Sequence, residues 1–146
     1  MSERWVTPPE IFDRLANEFP FDLDAAADLD LAKCARSLQD GLNQDWIGRY
    51  VWVNPPYGRK LEPFVRKAHL EWKKGNAETV VALIPFRCRG AWWHECVIGQ
   101  AEEVRCIRKR PRFLRPDGTQ PKLTGSCDSC VVLWRRHVNV TNMVSL

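Results

Sequence analysis

Apolar runs that stop at proline alternate along this chain with segments of helical periodicity, and few folds accommodate that order. Tyr50-Val51-Trp52-Val53 is rich in β-formers and ends at Asn54-Pro55-Pro56, and a second run over residues 79–84 is ended by Pro85. Short runs of this kind without polar alternation read as buried strands. Between them Leu61, Phe64, Val65, Ala68 and Trp72 recur at helical spacing, with Gly75 as a stop. Pro8 and Pro9 open an earlier helix whose apolar face is Ile11, Phe12, Leu15 and Phe19. The short apolar run 21–27 carries acids, and the stretch 28–46 is polar and irregular, with one helical turn near Ala32. Residues 91–98 read as a short helix, 103–107 as a strand and 130–135 as the last strand. Strands separated by helices predict a three-layer α/β domain around a mostly parallel sheet. Ligands in such sheets bind beyond the carboxyl ends of the strands.

At 146 residues the chain has room for one core, so a single domain is expected over 1–146. Hydrophobic content of 45% and seven tryptophans argue for a packed globule rather than a disordered chain. No segment approaches the apolar length of a membrane span, and Met1-Ser2-Glu3-Arg4 lacks an apolar signal stretch. A cytoplasmic location is therefore expected, and six cysteines there read as reduced thiols. Cys127-x-x-Cys130 has the spacing of half a zinc site. A structural zinc wants four ligands, and Cys88, Cys96, Cys106 and His94 do not form the second pair, so no metal is expected.

The net charge is only +4, but it is unevenly placed. Arg105, Arg108, Lys109, Arg110, Arg112 and Arg115 crowd one stretch, Arg87 and Arg89 form a smaller group, and Asp22, Asp24, Asp28 and Asp30 cluster early. A basic second half suits a polyanion, since each neutralised phosphate releases counterions. A solvated charged face is the alternative. Trp92-Trp93 reads as core bulk, one ring buried and one half-buried, in preference to a wedge into nucleic acid.

Asn54-Pro55-Pro56-Tyr57-Gly58 is the most informative segment. Two prolines can simply end a strand, but that does not require an Asn before them and an aromatic after. Asn-Pro-Pro-Tyr resembles the motif of amino-group methyltransferases, where it closes a strand at the edge of the active site. The chemistry explains the residue types. An exocyclic amine conjugated to a purine is planar and weakly nucleophilic. Acceptors at the Asn54 side-chain oxygen and the Pro55 carbonyl would favour a pyramidal nitrogen and stabilise the charge developing on it. Tyr57 would stack on a base taken out of the duplex, because the target atom is unreachable inside it.

Around that core the chain resembles the phage-type DNA N6-adenine methyltransferases, a Dam-like family. The resemblance runs from Trp5 to about Trp134. It rests on Trp5-Val6-Thr7-Pro8, Phe21-Asp22-Leu23-Asp24-Ala25-Ala26-Ala27, Ala32-Lys33-Cys34, Asp40-Gly41-Leu42 and Val51-Trp52-Val53 leading into the Asn54 motif. Looser matches are Val81-Ala82-Leu83-Ile84-Pro85, the Trp92-Trp93 region and Arg110-Pro111-Arg112-Phe113. The resemblance implies a compact Rossmann-like methyltransferase fold and S-adenosylmethionine as cofactor. Trp5, Thr7 and Pro8 would lie against the methionine end of that cofactor. Asp24 would receive its α-amino group, with Ala25 and Ala26 allowing close approach. Asp40, or in second place Asp45, would accept a hydrogen bond from the cofactor adenine or the target base. Asn54, Pro55, Pro56 and Tyr57 would be catalytic.

Arg87, Arg89, Arg108, Lys109, Arg110 and Arg112 are the candidate contacts to double-stranded DNA. A separate target-recognition domain has no room. Specificity would come from the loops 86–90 and 114–129, or from a second subunit in a homodimer. The chain also departs from larger methyltransferases: residues 25–27 are alanines where a glycine-rich loop is usual. No clear acid marks the cofactor ribose, for which Asp28 or Asp30 could substitute, and Leu31 stands where a polar residue is expected. Two rival functions remain open, a glutamine-amide protein methyltransferase and a non-catalytic nucleic-acid-binding module of the same fold. Protection of phage DNA from restriction would fit the family.

Overall fold

The computed structural model describes residues 5–27, 32–120, 128–135 and 142–145. Helix α1 (Pro9–Glu18) has proline in its first turn, where no amide partner is needed, and ends before Pro20. Strands β1 (Leu23–Asp24) and β2 (Arg36–Ser37) are very short, and β3 (Gly48–Val53) leads into the Asn54 motif. Helix α2 (Leu61–Lys74) places Glu62 in its first turn and Lys73 and Lys74 in its last, matching the helix dipole. Gly75 ends it at φ 86°, a left-handed conformation that glycine adopts without strain. Strands β4 (Ala77–Pro85), β5 (Glu103–Cys106), β6 (Ser129–Arg135) and β7 (Asn142–Ser145) complete the order.

Among the described residues the strands form one seven-stranded sheet in the order β2-β1-β3-β4-β6-β5-β7. The sheet is mixed, which corrects the expectation of a mostly parallel one. Strand β6 inserts between β4 and β5 and runs antiparallel to both, while the pairs β1–β2, β1–β3, β3–β4 and β5–β7 are parallel. A parallel return needs a long crossover, usually a helix. The described residues between β5 and β6 contain no helix, so the chain comes back antiparallel.

Alternation along the central strands builds two core layers. Val51 and Val53, with Val80, Ala82 and Ile84, face Phe64, Val65 and Ala68 of α2. Trp52, Val81 and Leu83 face the other way, against Leu15, Phe19, Ile11 and Phe12 of α1 and its exit. Helices on both faces match the three-layer expectation. Residues 91–98 were expected as an ordinary short helix. They contain a π turn, Trp93–Val97, with the Ile98 N–H donating to the Trp93 carbonyl at 3.0 Å. Both Trp92 and Trp93 are buried, so neither ring is half-exposed. The Trp134 indole donates to the Cys96 carbonyl at 2.8 Å and fastens this turn to β6. Strands β2 and β7 escape sequence reasoning: two residues carry no period, and Met143 and Val144 of the edge strand are exposed. Residues 130–135 are therefore not the last strand.

Candidate active site at the strand ends

Parallel pairing of β1, β3 and β4 brings their carboxyl ends to one edge of the sheet. Asp24 pairs with Trp52, so the turn after β1 lies beside the Asn54 motif after β3. Asn54 is half-buried, Pro55 buried, and Pro56 and Tyr57 half-buried. The Asn54 side-chain N–H donates to the Thr7 hydroxyl at 2.9 Å, and Thr7 is only 2% exposed. Trp5 is half-buried and Pro8 buried on either side of it. The Tyr57 ring meets Phe113 edge to face, centroids 5.8 Å apart. Phe113 belongs to a segment tied to the chain's first described residues: Val6 and Leu114 exchange backbone hydrogen bonds of 2.8 and 3.0 Å. The motif is thus braced from two sides by residues far apart in sequence.

The early acids divide into two roles. Asp22 accepts from the backbone amides of Arg49 and Tyr50 at 3.0 and 2.9 Å, and so holds the amino end of β3. Asp24 lies at the opposite, carboxyl end of β1 and is 4% exposed. Its two oxygens accept from the amides of Ala26 and Lys33 at 3.2 and 3.1 Å. Burial pushes the Asp24 carboxyl above its ordinary pKa, against the opposing pull of those two amides. A carboxylate in that state gains from an arriving cation. Asp28, Asp30 and Leu31 lie outside the described residues, as does Cys127 of the zinc-like pair. The described cysteines 34, 88, 96, 106 and 130 are free thiols. Burial, followed by the charges of Asp24 and Asp22, pushes the Cys34 thiol up to about 12, so it stays protonated and unreactive.

The Asp40 carboxylate is held within its own turn. It is exposed, and both its oxygens accept from the Asn43 side-chain amide at 3.0 Å. The residue after it makes the close approach. A Cβ on Gly41 would lie 1.9 Å from the Ala25 carbonyl oxygen and 3.1 Å from the Phe64 ring. Only glycine lets this turn pack on the turn that follows β1. The Trp46 indole donates to the Gly41 carbonyl at 2.7 Å and pins it there. Gly41→Ala is expected to cost about 1–3 kcal/mol, because backbone rather than a flexible side chain must yield. Thermal melting tests this, and an unchanged Tm would mean that the two turns separate freely. Asp45, the second choice, is exposed.

The basic residues gather at the same edge. Arg87 and Arg89 follow β4 directly, and Arg108, Lys109, Arg110 and Arg112 follow β5, whose carboxyl end lies alongside because Cys106 and Pro85 pair with Cys130 and Ser129 of β6. All six are exposed. Arg110 forms an exposed ion pair with Asp128 at 3.2 Å, a contact weak enough to exchange for a phosphate. Arg105 leaves the basic run. It bonds Glu18 at 2.6 Å and Glu103 at 3.1 Å, is largely buried, and ties β5 to α1.

The family model for DNA N-6-adenine-methyltransferase (Dam) matches residues 1–146. The chain belongs to this Dam family. A DNA N-6-adenine-methyltransferase of Haemophilus phage HP1 (strain HP1c1) is 35% identical over 115 residues, covering 75% of this chain and 65% of the relative. The match thus spans just under two thirds of that relative's length. No described helix is long and apolar enough to cross a membrane. Sequence reasoning missed three supports of this candidate site. The Val6–Leu114 bridge carries no local signal, and Phe113 was visible only as a neighbour of arginines. Glu71 was detectable as an acid three residues beyond Ala68, on the buried face of α2.

Proposed function

We propose that this chain is a DNA methyltransferase that transfers a methyl group to the N6 amine of adenine, using S-adenosylmethionine and a single Rossmann-like methyltransferase domain in the cytoplasm. The carrying observation is the Asn54 motif at the carboxyl end of a central strand, beside a buried carboxylate and among exposed arginines. Membership of the Dam family supports the same reading.

The donor set fits the cofactor. S-adenosylmethionine carries an ammonium at one end, and Asp24 is a buried carboxylate whose ionised form a cation would favour. Small side chains at 25–27 leave the backbone open to a ligand, in place of a glycine-rich loop. Trp5, Thr7 and Pro8 would flank the methionine end, and Asp40, next to Gly41, would accept a hydrogen bond from the cofactor adenine or the target base. When bound, the cofactor supplies an electrophilic methyl on a sulfonium.

The chain's own residues act on the amine. The Asn54 oxygen and the Pro55 carbonyl accept its hydrogens, draw the nitrogen out of conjugation and stabilise the positive charge that develops there. Tyr57 stacks on the flipped base, and the surplus proton leaves to water after transfer. Arg87, Arg89, Arg108, Lys109, Arg110 and Arg112 contact the phosphates. Residues 86–90 and 114–129, of which 121–127 lie outside the described residues, or a second copy of the chain, supply target choice.

Methyl transfer to unmethylated DNA, measured beside transfer to a protein rich in glutamine, tests the substrate. Label on DNA alone is expected, and label on protein alone would move the reading to an amide methyltransferase. Replacing Arg110 and Arg112 by glutamine is expected to weaken DNA binding for all sequences alike. It should also flatten the slope of log K against log salt by roughly 2 in total. An unchanged slope would remove these two residues from the DNA surface.

A further inference from the structure

We propose that Thr7 is a positioning residue for Asn54: its buried hydroxyl sets which end of the Asn54 amide faces the target amine. The inference rests on the methyltransferase reading and adds a role distinct from cofactor contact. An amide side chain has a donor end and an acceptor end, and they exchange places by rotation of the group. An incoming amine brings two hydrogens, so only the Asn54 oxygen serves it. The amide nitrogen then needs an acceptor on its other side. Thr7 Oγ1 lies 2.9 Å from Asn54 Nδ2 and is that acceptor. A hydroxyl oxygen can accept this hydrogen, whereas a methyl group of the same size cannot.

Thr7 is well placed to hold the Asn54 amide because its backbone is fixed on both sides. Val6 is bridged to Leu114 by two backbone hydrogen bonds. The Pro8 carbonyl accepts from Ile11 and Phe12 at 3.1 and 3.2 Å as α1 begins. At 2% exposure, little water reaches the residue to compete for the amide. The segment that clamps Val6 also carries Phe113, whose ring abuts Tyr57. The segment following the basic residues therefore touches Tyr57 directly and reaches Asn54 through Val6 and Thr7.

The test compares Thr7→Val and Thr7→Ser with the unaltered protein in two measurements. The first follows hydrogen exchange of the Asn54 side-chain amide by nitrogen-15 NMR without DNA, the signal being assigned by its loss in Asn54→Ala. Slow exchange is expected in the unaltered protein and in Thr7→Ser, and fast exchange in Thr7→Val. The second measures steady-state transfer to DNA together with equilibrium binding of S-adenosylmethionine. Thr7→Val should lower kcat about tenfold, the equivalent of one lost hydrogen bond. At saturating cofactor the fall in kcat should persist with KM for DNA unchanged, and Thr7→Ser should recover most of kcat. Unchanged amide exchange in Thr7→Val would overturn the proposal. Weakened cofactor binding with kcat intact would also overturn it and leave Thr7 with the cofactor contact alone. If the unaltered protein transfers no methyl, the activity reading fails, and the exchange measurement still decides whether Thr7 orients Asn54.

Discussion

Asn54→Ala is expected to lower methyl transfer by about 100- to 1,000-fold while leaving the fold intact. The magnitude is that of removing one preorganised dipole aimed at developing charge. Asn54 sits at the end of β3, half-buried, and its side-chain amide donates to the Thr7 hydroxyl. Truncation therefore frees one hydroxyl but opens no large cavity, and the melting temperature should move by only a few degrees. The Pro55 carbonyl remains in place, which accounts for residual activity. Turnover of Asn54→Ala within a few-fold of the unaltered protein, at equal cofactor occupancy, would mean that the amine is activated elsewhere.

Glu71→Ala is expected to destabilise the protein by about 3–5 kcal/mol, the range for removing one partner of a buried ion pair. Glu71 is fully buried in α2. Its carboxylate is 2.7 Å from the Lys67 ammonium and accepts from the Asn76 side chain at 2.8 Å and the Trp46 backbone at 3.2 Å. Those contacts anchor the loop that carries Gly41 and Trp46, so the effect should spread to the turn beside Asp24. For a domain of this size the loss corresponds to a fall in Tm of roughly 10 °C. Burial alone would raise the Glu71 pKa, but the Lys67, Asn76 and Trp46 donors outweigh it, and the net shift lies below the ordinary 4.5. The sign follows from linkage. A lowered carboxylate pKa contributes stability that is complete above the ordinary value and is lost as pH falls through the lower folded value. The unaltered protein should therefore lose stability below about pH 4.5 more steeply than Glu71→Gln, as read by thermal melts across acidic pH. Parallel acid profiles would show that Glu71 is not the group responsible.

The central strands and both helices are legible in the sequence because their signals are strong and local. β3 and β4 are uninterrupted apolar runs that end in proline, and α2 has both a periodic apolar face and a glycine stop. The motif after β3 could likewise be placed at the strand's carboxyl end, because Pro55 and Pro56 cannot continue the ladder. Direction within the sheet was not legible. Whether β6 runs with or against its neighbours depends on the connection before it, and the basic stretch there has no helical pattern to reveal or exclude a crossover. Arg105 illustrates a second limit. Its charge looks like that of Arg108 or Arg112, yet a strand position facing Glu18 turns it into an internal tie. Composition counts such a residue as free. Geometry spends it on the fold. Thr7 shows the converse, since a hydroxyl near the start of the chain has no sequence signal linking it to Asn54.

The most direct measurement is nucleoside analysis of unmethylated DNA after incubation with the purified protein and labelled S-adenosylmethionine. N6-methyldeoxyadenosine carrying the label is expected with the unaltered protein and is expected to fall by about 100- to 1,000-fold with Asn54→Ala. A folded, cofactor-binding protein that leaves DNA unlabelled would contradict the assignment, as would label on another nucleoside.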